Sequence, residues 1–379
     1  METWIYGLIG AASVIAAALI ISVLLQLCVM LKTKICKPIL PYYCPKGKES
    51  KKCMRGHVAS FSVQEVEEIS EGFINHIGEG TSNHVFKGIL SDGTEVAIKR
   101  IKDEVAHSSD VDASFKFQVF LTDSISPIGT SAKGLFLADL LSRVCHQHLV
   151  NLVGFCEEEN QRMLLFQYAP NGTLYENLHG DEHLTWKQRI RLVVGAAYGL
   201  AYLHQSCNPP VIHGDLRSRN ILLTEDNAAK IAGLGKVPIA ASSELAVVRK
   251  LGGHVDPEMI HKGVYSRAGD VYSFGVLLLE ILSGRLAFSE ETGMLVEWAR
   301  DFLESRDRME DLTDPSLKNV SPLELYSLCE IARLCIQHEA SSRPCMRDIL
   351  AMLKQTLAIS AETAAPVSSP VTLRGLMEG

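Results

Sequence analysis

From Trp4 to Leu31 the chain carries no charged side chain (WIYGLIGAASVIAAALIISVLLQLCVML). As a helix rising about 1.5 Å per residue, such a run crosses a hydrocarbon core of about 30 Å with some tilt. A secretory signal would show a basic start, a shorter apolar stretch and a cleavage site. This chain begins Met-Glu and its apolar run is too long. A retained transmembrane helix over 4–31 is expected, against a cleaved signal or a buried helix. Only Glu2 precedes the run, while Lys32, Lys34, Lys37, Lys46, Lys48, Lys51, Lys52 and Arg55 follow it. The positive-inside bias then puts everything after the helix in the cytoplasm and leaves residues 1–3 as an outer stub, with no ectodomain. Gly7/Ala11 and Ala12/Ala16 have the small-xxx-small spacing that brings membrane helices together, so a dimer through the span is one expectation. The basic run would meet anionic lipid, and Cys28 and Cys36 are candidate acylation sites.

The whole chain has a net charge of -7, which gives no electrostatic reason to expect a nucleic acid partner. Its ten cysteines show neither a disulfide framework nor metal-type spacing, so reduced thiols in a cytosolic domain are expected. Residues 32–60 hold Pro38, Pro41, Pro45 and the lysine-rich patch without helical or alternating period, the mark of a juxtamembrane linker. Phe61 to Ser70 then has the spacing of a short amphipathic helix.

Ile77 to Val85 (IGEGTSNHV) places Gly78 and Gly80 between two runs of β character, with Asn83 at the third glycine position. Glycines in such a turn let backbone amides approach a phosphate closely, although a plain hairpin has the same outline. Val96-Ala97-Ile98-Lys99 follows on the next strand, at the distance where a lysine would meet nucleotide phosphates. Beyond it, Pro127 and Gly129 break any helix in 103–134, and helical period resumes at Leu135. Residues 112–134 are either a true insertion or unspliced sequence carried into the translation; the residues alone leave both open.

Farther on, His213-Gly214-Asp215-Leu216-Arg217-Ser218-Arg219-Asn220 resembles the H-R-D-L-x-x-x-N loop of protein kinases. Phe166-Gln167-Tyr168-Ala169-Pro170-Asn171-Gly172, Leu184-Thr185-Trp186 with Arg189, Gly195 to His204, Asp256-Pro257-Glu258, Asp270 to Val276, and Arg343-Pro344 fall in the order found in plant receptor-like kinases. The resemblance spans about 61–357. It implies an α+β, bilobal protein-kinase fold behind the transmembrane helix, with a small lobe over 61–166, a large lobe over 170–357, a hinge near Phe166 to Ala169, and a disordered tail over 358–379. Glu258, Asp270 and Arg343 are expected to serve the fold rather than the chemistry.

By the same resemblance Asp215 would be the base that takes the acceptor's proton, with Lys99 and Arg217 on the phosphates. Gly78, Gly80, Val85, Ala97, Lys99, Phe166 and Tyr168 would line a nucleotide site, with ATP as the cofactor. Asn220 would be a metal ligand, but Gly233 stands where the family carries the Asp that holds Mg²⁺. A neutral amide alone is a poor ligand for a hard dication. Three further departures fall at Leu137, where the resemblance calls for the glutamate that pairs with Lys99, at Gly214 for the loop arginine, and at Leu251 for a threonine. Asp139 is too short and misdirected to replace the glutamate. Phosphoryl transfer depends on positioning and charge neutralisation, so these losses imply a severely impaired or inactive enzyme. The leading expectation is a plasma-membrane pseudokinase that signals by binding active receptor-like kinases or other cytoplasmic proteins. One alternative is a weakly active Ser/Thr kinase with atypical metal use. Another is a phosphorylation target, through Ser108, Ser109, Ser242, Ser243 and the Ser/Pro-rich tail.

Overall fold

The computed structural model describes residues 58–80, 83–102, 144–158, 161–181, 183–207, 210–234 and 253–357. The 4–31 run, most of the linker, 112–134, Leu137, Asp139, Leu251, the four serines and the tail lie outside these residues. Among the described residues no helix is long and apolar enough to cross a membrane.

The small lobe is built on a six-stranded sheet in the order β1-β5-β6-β4-β3-β2. Its strands are β1 (Ala59–Ser60), β2 (His76–Glu79), β3 (Asn83–Ile89), β4 (Glu95–Ile101), β5 (Leu152–Glu158) and β6 (Gln161–Gln167). All pair antiparallel except β1 with β5. β1 falls in the stretch read as linker, so the lobe begins slightly earlier than its sequence periodicity suggests; two residues are too few to show a period. The expected amphipathic helix is α1 (Val63–Ile69), started by a capping box in which Ser62 and Glu65 satisfy each other's backbone amides. It drives Val66 onto Ile98, Met163 and Leu165, covering one face of the sheet. The other face is left for the site.

The large lobe packs around two long helices, α3 (Trp186–Ala201) and α5 (Arg267–Ser283). Ser266 caps the start of α5, and Gly284, at φ 66°, ends it. Before α3 comes α2 (Leu174–His179), and α3 runs on into a π-helical turn, Tyr202–Ser206. The hairpin β7 (Ile221–Leu223) and β8 (Ala229–Ile231) packs on α3, and α4 (Pro257–Lys262) precedes α5. A two-strand pair, β9 (Phe288–Ser289) and β10 (Gly293–Met294), leads to α6 (Leu295–Leu303), α7 (Pro322–Cys335) and α8 (Met346–Leu357). Leu192, Leu200, Phe274, Leu278 and Leu328 meet in one core. Arg189 is buried within it, and its guanidinium is satisfied there: it donates to the carbonyls of Leu184 and Ile281 and to Asp314 at 2.5 Å.

Cys156, Cys207, Cys329, Cys335 and Cys345 are free thiols. Burial pushes Cys156 and Cys207 up to about 11 and Cys329 to about 12, which makes them inert packing groups. Cys145 departs from the expectation of reduced thiols: it is disulfide-bonded.

Candidate functional site

Strand register brings the expected nucleotide residues of the small lobe together. Val85 pairs with Lys99, and Lys99 with Leu164; Lys87 pairs with Ala97, and Ala97 with Phe166. Side chains two apart on a strand share a face, so Val85, Ala97, Lys99 and Phe166 all lie on the face away from α1. Gly78 pairs with Val85 at the end of the same ladder. The Gly80 amide donates to the Asn83 carbonyl at 2.8 Å, and the Asn83 carboxamide lies over Gly80, within 2.9 Å of where a β-carbon would stand. A side chain thus sits where the family pattern has bare backbone. Tyr168 follows β6, and Lys87, itself paired to Glu95 at 2.6 Å, lies 4.6 Å over its ring.

In the large lobe, the loop before β7 is held from below. Asp270, buried in the first turn of α5, accepts from the amides of His213 (2.7 Å) and Gly214 (2.8 Å) and from His204 Nε2 (2.8 Å). His213 Nδ1 accepts from the Asp215 amide, so its Nε2 carries the proton and donates to the Ala232 carbonyl at 2.9 Å. The loop is thereby tied to the residue just before Gly233. Asp215 itself is buried, with both carboxylate oxygens engaged. Arg217 Nε is 3.2 Å from Oδ1, and Asn220 Nδ2 donates to Oδ2 at 2.5 Å and to the Asp215 carbonyl at 2.7 Å. Gly233 has φ 84°, and a β-carbon there would stand 3.0–3.1 Å from the Asn220 carboxamide. The Asn220 Nδ2 thus faces Asp215, while its Oδ1 lies 3.1 Å from the β-carbon position of Gly233, a residue with no side chain.

A profile described as protein tyrosine and serine/threonine kinase matches residues 131–353, more than half of the chain. The chain belongs to that kinase family. It is 34% identical over 98% of its length to Protein MALE DISCOVERER 1 of Arabidopsis thaliana, covering 50% of that protein. It is 38% identical over 77% of its length to the proline-rich receptor-like protein kinase PERK8 of the same plant, covering 42% of it. The chain thus spans about half the length of the first curated relatives it matches. PTI1-like tyrosine-protein kinase 1, also of Arabidopsis thaliana, is 35% identical, and there the match covers 85% of this chain and 89% of the relative. Among solved structures, the apo GRMZM2G135359 pseudokinase superposes with a TM-score of 0.60 at 27% identity, over 80% of this chain and 98% of that one.

A kinase domain implies ATP, and the small-lobe face fits it: a glycine turn, a lysine and an apolar floor on one side of a sheet. The residues present fit Mg²⁺ poorly. Among the described residues no group of three His, Cys, Asp or Glu side chains is placed to hold a metal. Asp215 is the carboxylate on this edge of the loop, and Arg217 and Asn220 already occupy it.

Two features escape sequence reasoning. Tyr265 lies against Gly214, whose φ is 76°, so a β-carbon there would be 3.2 Å from the ring. The Tyr265 hydroxyl is buried without a hydrogen-bond partner, and burial, with the Asp215 charge, pushes its pKa up. Separately, Glu280 on α5, fully buried, accepts from His179 Nε2 (3.0 Å), His254 Nε2 (2.9 Å) and Ser218 Oγ (2.9 Å). Burial alone would raise this carboxyl, but the His254 charge and the three hydrogen bonds outweigh it and hold the pKa down at about 2. The glycine at 214 hints at a filled space, yet nothing local says that Tyr265 fills it.

Proposed function

We propose that this kinase-family chain is a membrane-anchored pseudokinase of the plant receptor-like type, which signals by binding other kinases or cytoplasmic proteins rather than by transferring phosphate. The observation that carries this is the Asn220 amide at 2.5 Å from the Asp215 carboxylate beside side-chain-free Gly233. A base that already accepts from Asn220 and pairs with the Arg217 cation, with no second carboxylate to share a metal ion, lacks the charge neutralisation that phosphoryl transfer depends on. Removing one preorganised electrostatic group typically lowers a rate by about 10²–10³, and here the metal's principal ligand is gone. The retained lysine face supports nucleotide binding without turnover. The uncharged 4–31 run and its basic flank support a single-pass anchor with the kinase domain on the cytoplasmic side of the plasma membrane.

The test is phosphate transfer by the full chain in Mg²⁺ and in Mn²⁺, beside Asp215→Asn. No transfer above that control is expected in either metal. Transfer that disappears in Asp215→Asn would replace this proposal with a weakly active Ser/Thr kinase, for which the retained Lys99, Asp215 and Asn220 speak. Calorimetric titration with ATP is expected to give the same affinity in Mg²⁺ and in a chelator.

A further inference from the structure

At the base of the large lobe, α6, α7, α8 and the 3₁₀ turn Arg306–Leu312 enclose a groove of about 680 Å³, a volume that suits a short peptide segment. Met309, Ile331 and Met352 form its apolar floor, with Tyr326 on the wall. Leu323, in the first turn of α7, is 66% exposed at the rim, an aliphatic side chain left in water. Local bonds hold the wall in shape: the Tyr326 hydroxyl donates to Glu310 at 2.8 Å, and Arg306 lies 4.8 Å over the ring. Arg333 and Glu330 satisfy each other across one turn. Glu304 differs, because its exposed carboxylate at the lip has no ion pair among the described residues.

The chain itself supplies a candidate occupant. Gln355 and Thr356 line the groove, and the described part of α8 reaches Leu357 beside it, so the tail is tethered at the groove's rim. They run through a small, polar stretch with Pro366 and Pro370 to Val371-Thr372-Leu373-Arg374-Gly375-Leu376-Met377, four apolar side chains around one cation. We propose that segment 371–377 docks into this groove in cis, its aliphatic side chains on Met309, Leu323 and Met352 and Arg374 on Glu304.

The tether favours this occupant over any other. The stretch between Leu357 and Val371 has a root-mean-square reach of roughly 20 Å if flexible. At full extension it covers roughly 50 Å. Both lengths suit a groove that lies beside Leu357. A short flexible linker gives an effective concentration of about millimolar. A segment that binds at about 0.1 mM Kd in trans is therefore roughly nine-tenths docked in cis. A separate protein at micromolar concentration needs roughly a thousandfold tighter affinity to displace it.

The test uses the full chain in nanodiscs, a tail variant (Leu376→Asp with Met377→Asp), a groove variant (Leu323→Asp) and a fluorescent peptide of residues 369–379. Leu323 is exposed, so its replacement leaves the core intact. The peptide is expected to bind the tail variant at least tenfold tighter than the wild-type chain, whose groove is filled, and adding Leu323→Asp should abolish that binding. Hydrogen exchange of 371–377 should be slowed in the wild type and released equally by either variant. Equal peptide binding by wild type and tail variant, no binding to the tail variant, or exchange that neither variant changes would each overturn cis docking. So would light scattering that shows a wild-type dimer broken by Leu323→Asp, which would assign the groove to a second copy.

Discussion

The same loop, His213 to Asn220, has two sides that have fared differently. Beneath it, Asp270 accepts three hydrogen bonds from His204, His213 and Gly214, and Glu280 accepts three from His179, Ser218 and His254. Along its metal-facing edge, Gly233 offers nothing and Asn220 has turned onto Asp215. Buried charges have to be satisfied in any chain that folds, active or not, because an unpaired one destabilises the native state by several kcal/mol. A metal ligand at the cleft rim answers to no such demand. The fold therefore keeps its floor whatever stands along the edge.

That contrast can be broken most directly from below. Asp270→Ala should cost about 3–5 kcal/mol, since it leaves two loop amides and His204 without an acceptor; chemical denaturation that shows a loss under about 1 kcal/mol would erase the difference between floor and edge. Acid sharpens it further. The Glu280 carboxyl, held at about 2 against an ordinary 4.5, contributes fully above about pH 4.5 and loses its share as pH falls through 2. That share is on the order of 3 kcal/mol. His146 stacks on Tyr202, and burial, with His148 and Lys230 nearby, pushes its imidazole down to about 3 from an ordinary 6.5. It stays neutral in the fold, so its share is full above pH 6.5 and declines toward pH 3. Stability against pH should fall in two steps, and Glu280→Gln should remove the lower step only. Next in size is Gly233→Asp. With φ 84° and Asn220 within 3.0–3.1 Å of the new β-carbon, restoring the carboxylate should cost about 1–3 kcal/mol. It should also restore no measurable transfer; activity at even a few per cent of an ordinary kinase would locate the whole defect at this one position. The smallest effect is at Asn220→Ala: stability within about 1 kcal/mol of wild type, with ATP affinity lowered equally in Mg²⁺ and chelator if the amide serves Asp215 rather than a metal.

The resemblance grouped Val85, Ala97, Lys99 and Phe166, and strand register puts the four on one face of the sheet. Asp215, Asn220 and the gap at Gly233 were legible through the resemblance of residues 213–220 to the kinase loop, and the structure brings the three together. The rotamer of Asn220 was not legible, because no local pattern announces its bonds to Asp215. Tyr265 against Gly214 and His254 on Glu280 were not legible for another reason. Each joins segments far apart in the chain, and neither tyrosine nor histidine in a loop announces a buried partner. β1 was hidden by its shortness, since Ala59 and Ser60 take their strand character from β5.

Glu280 also acts mechanically. Through it one carboxylate fastens the end of α2, the turn that carries Ser218 and the stretch ahead of α4 that carries His254. Pulling any one of the three away strands the other two around a charge they were sized to share. A contact made near His254 is therefore coupled, through one carboxylate, to the cleft floor and to the helix behind the hinge.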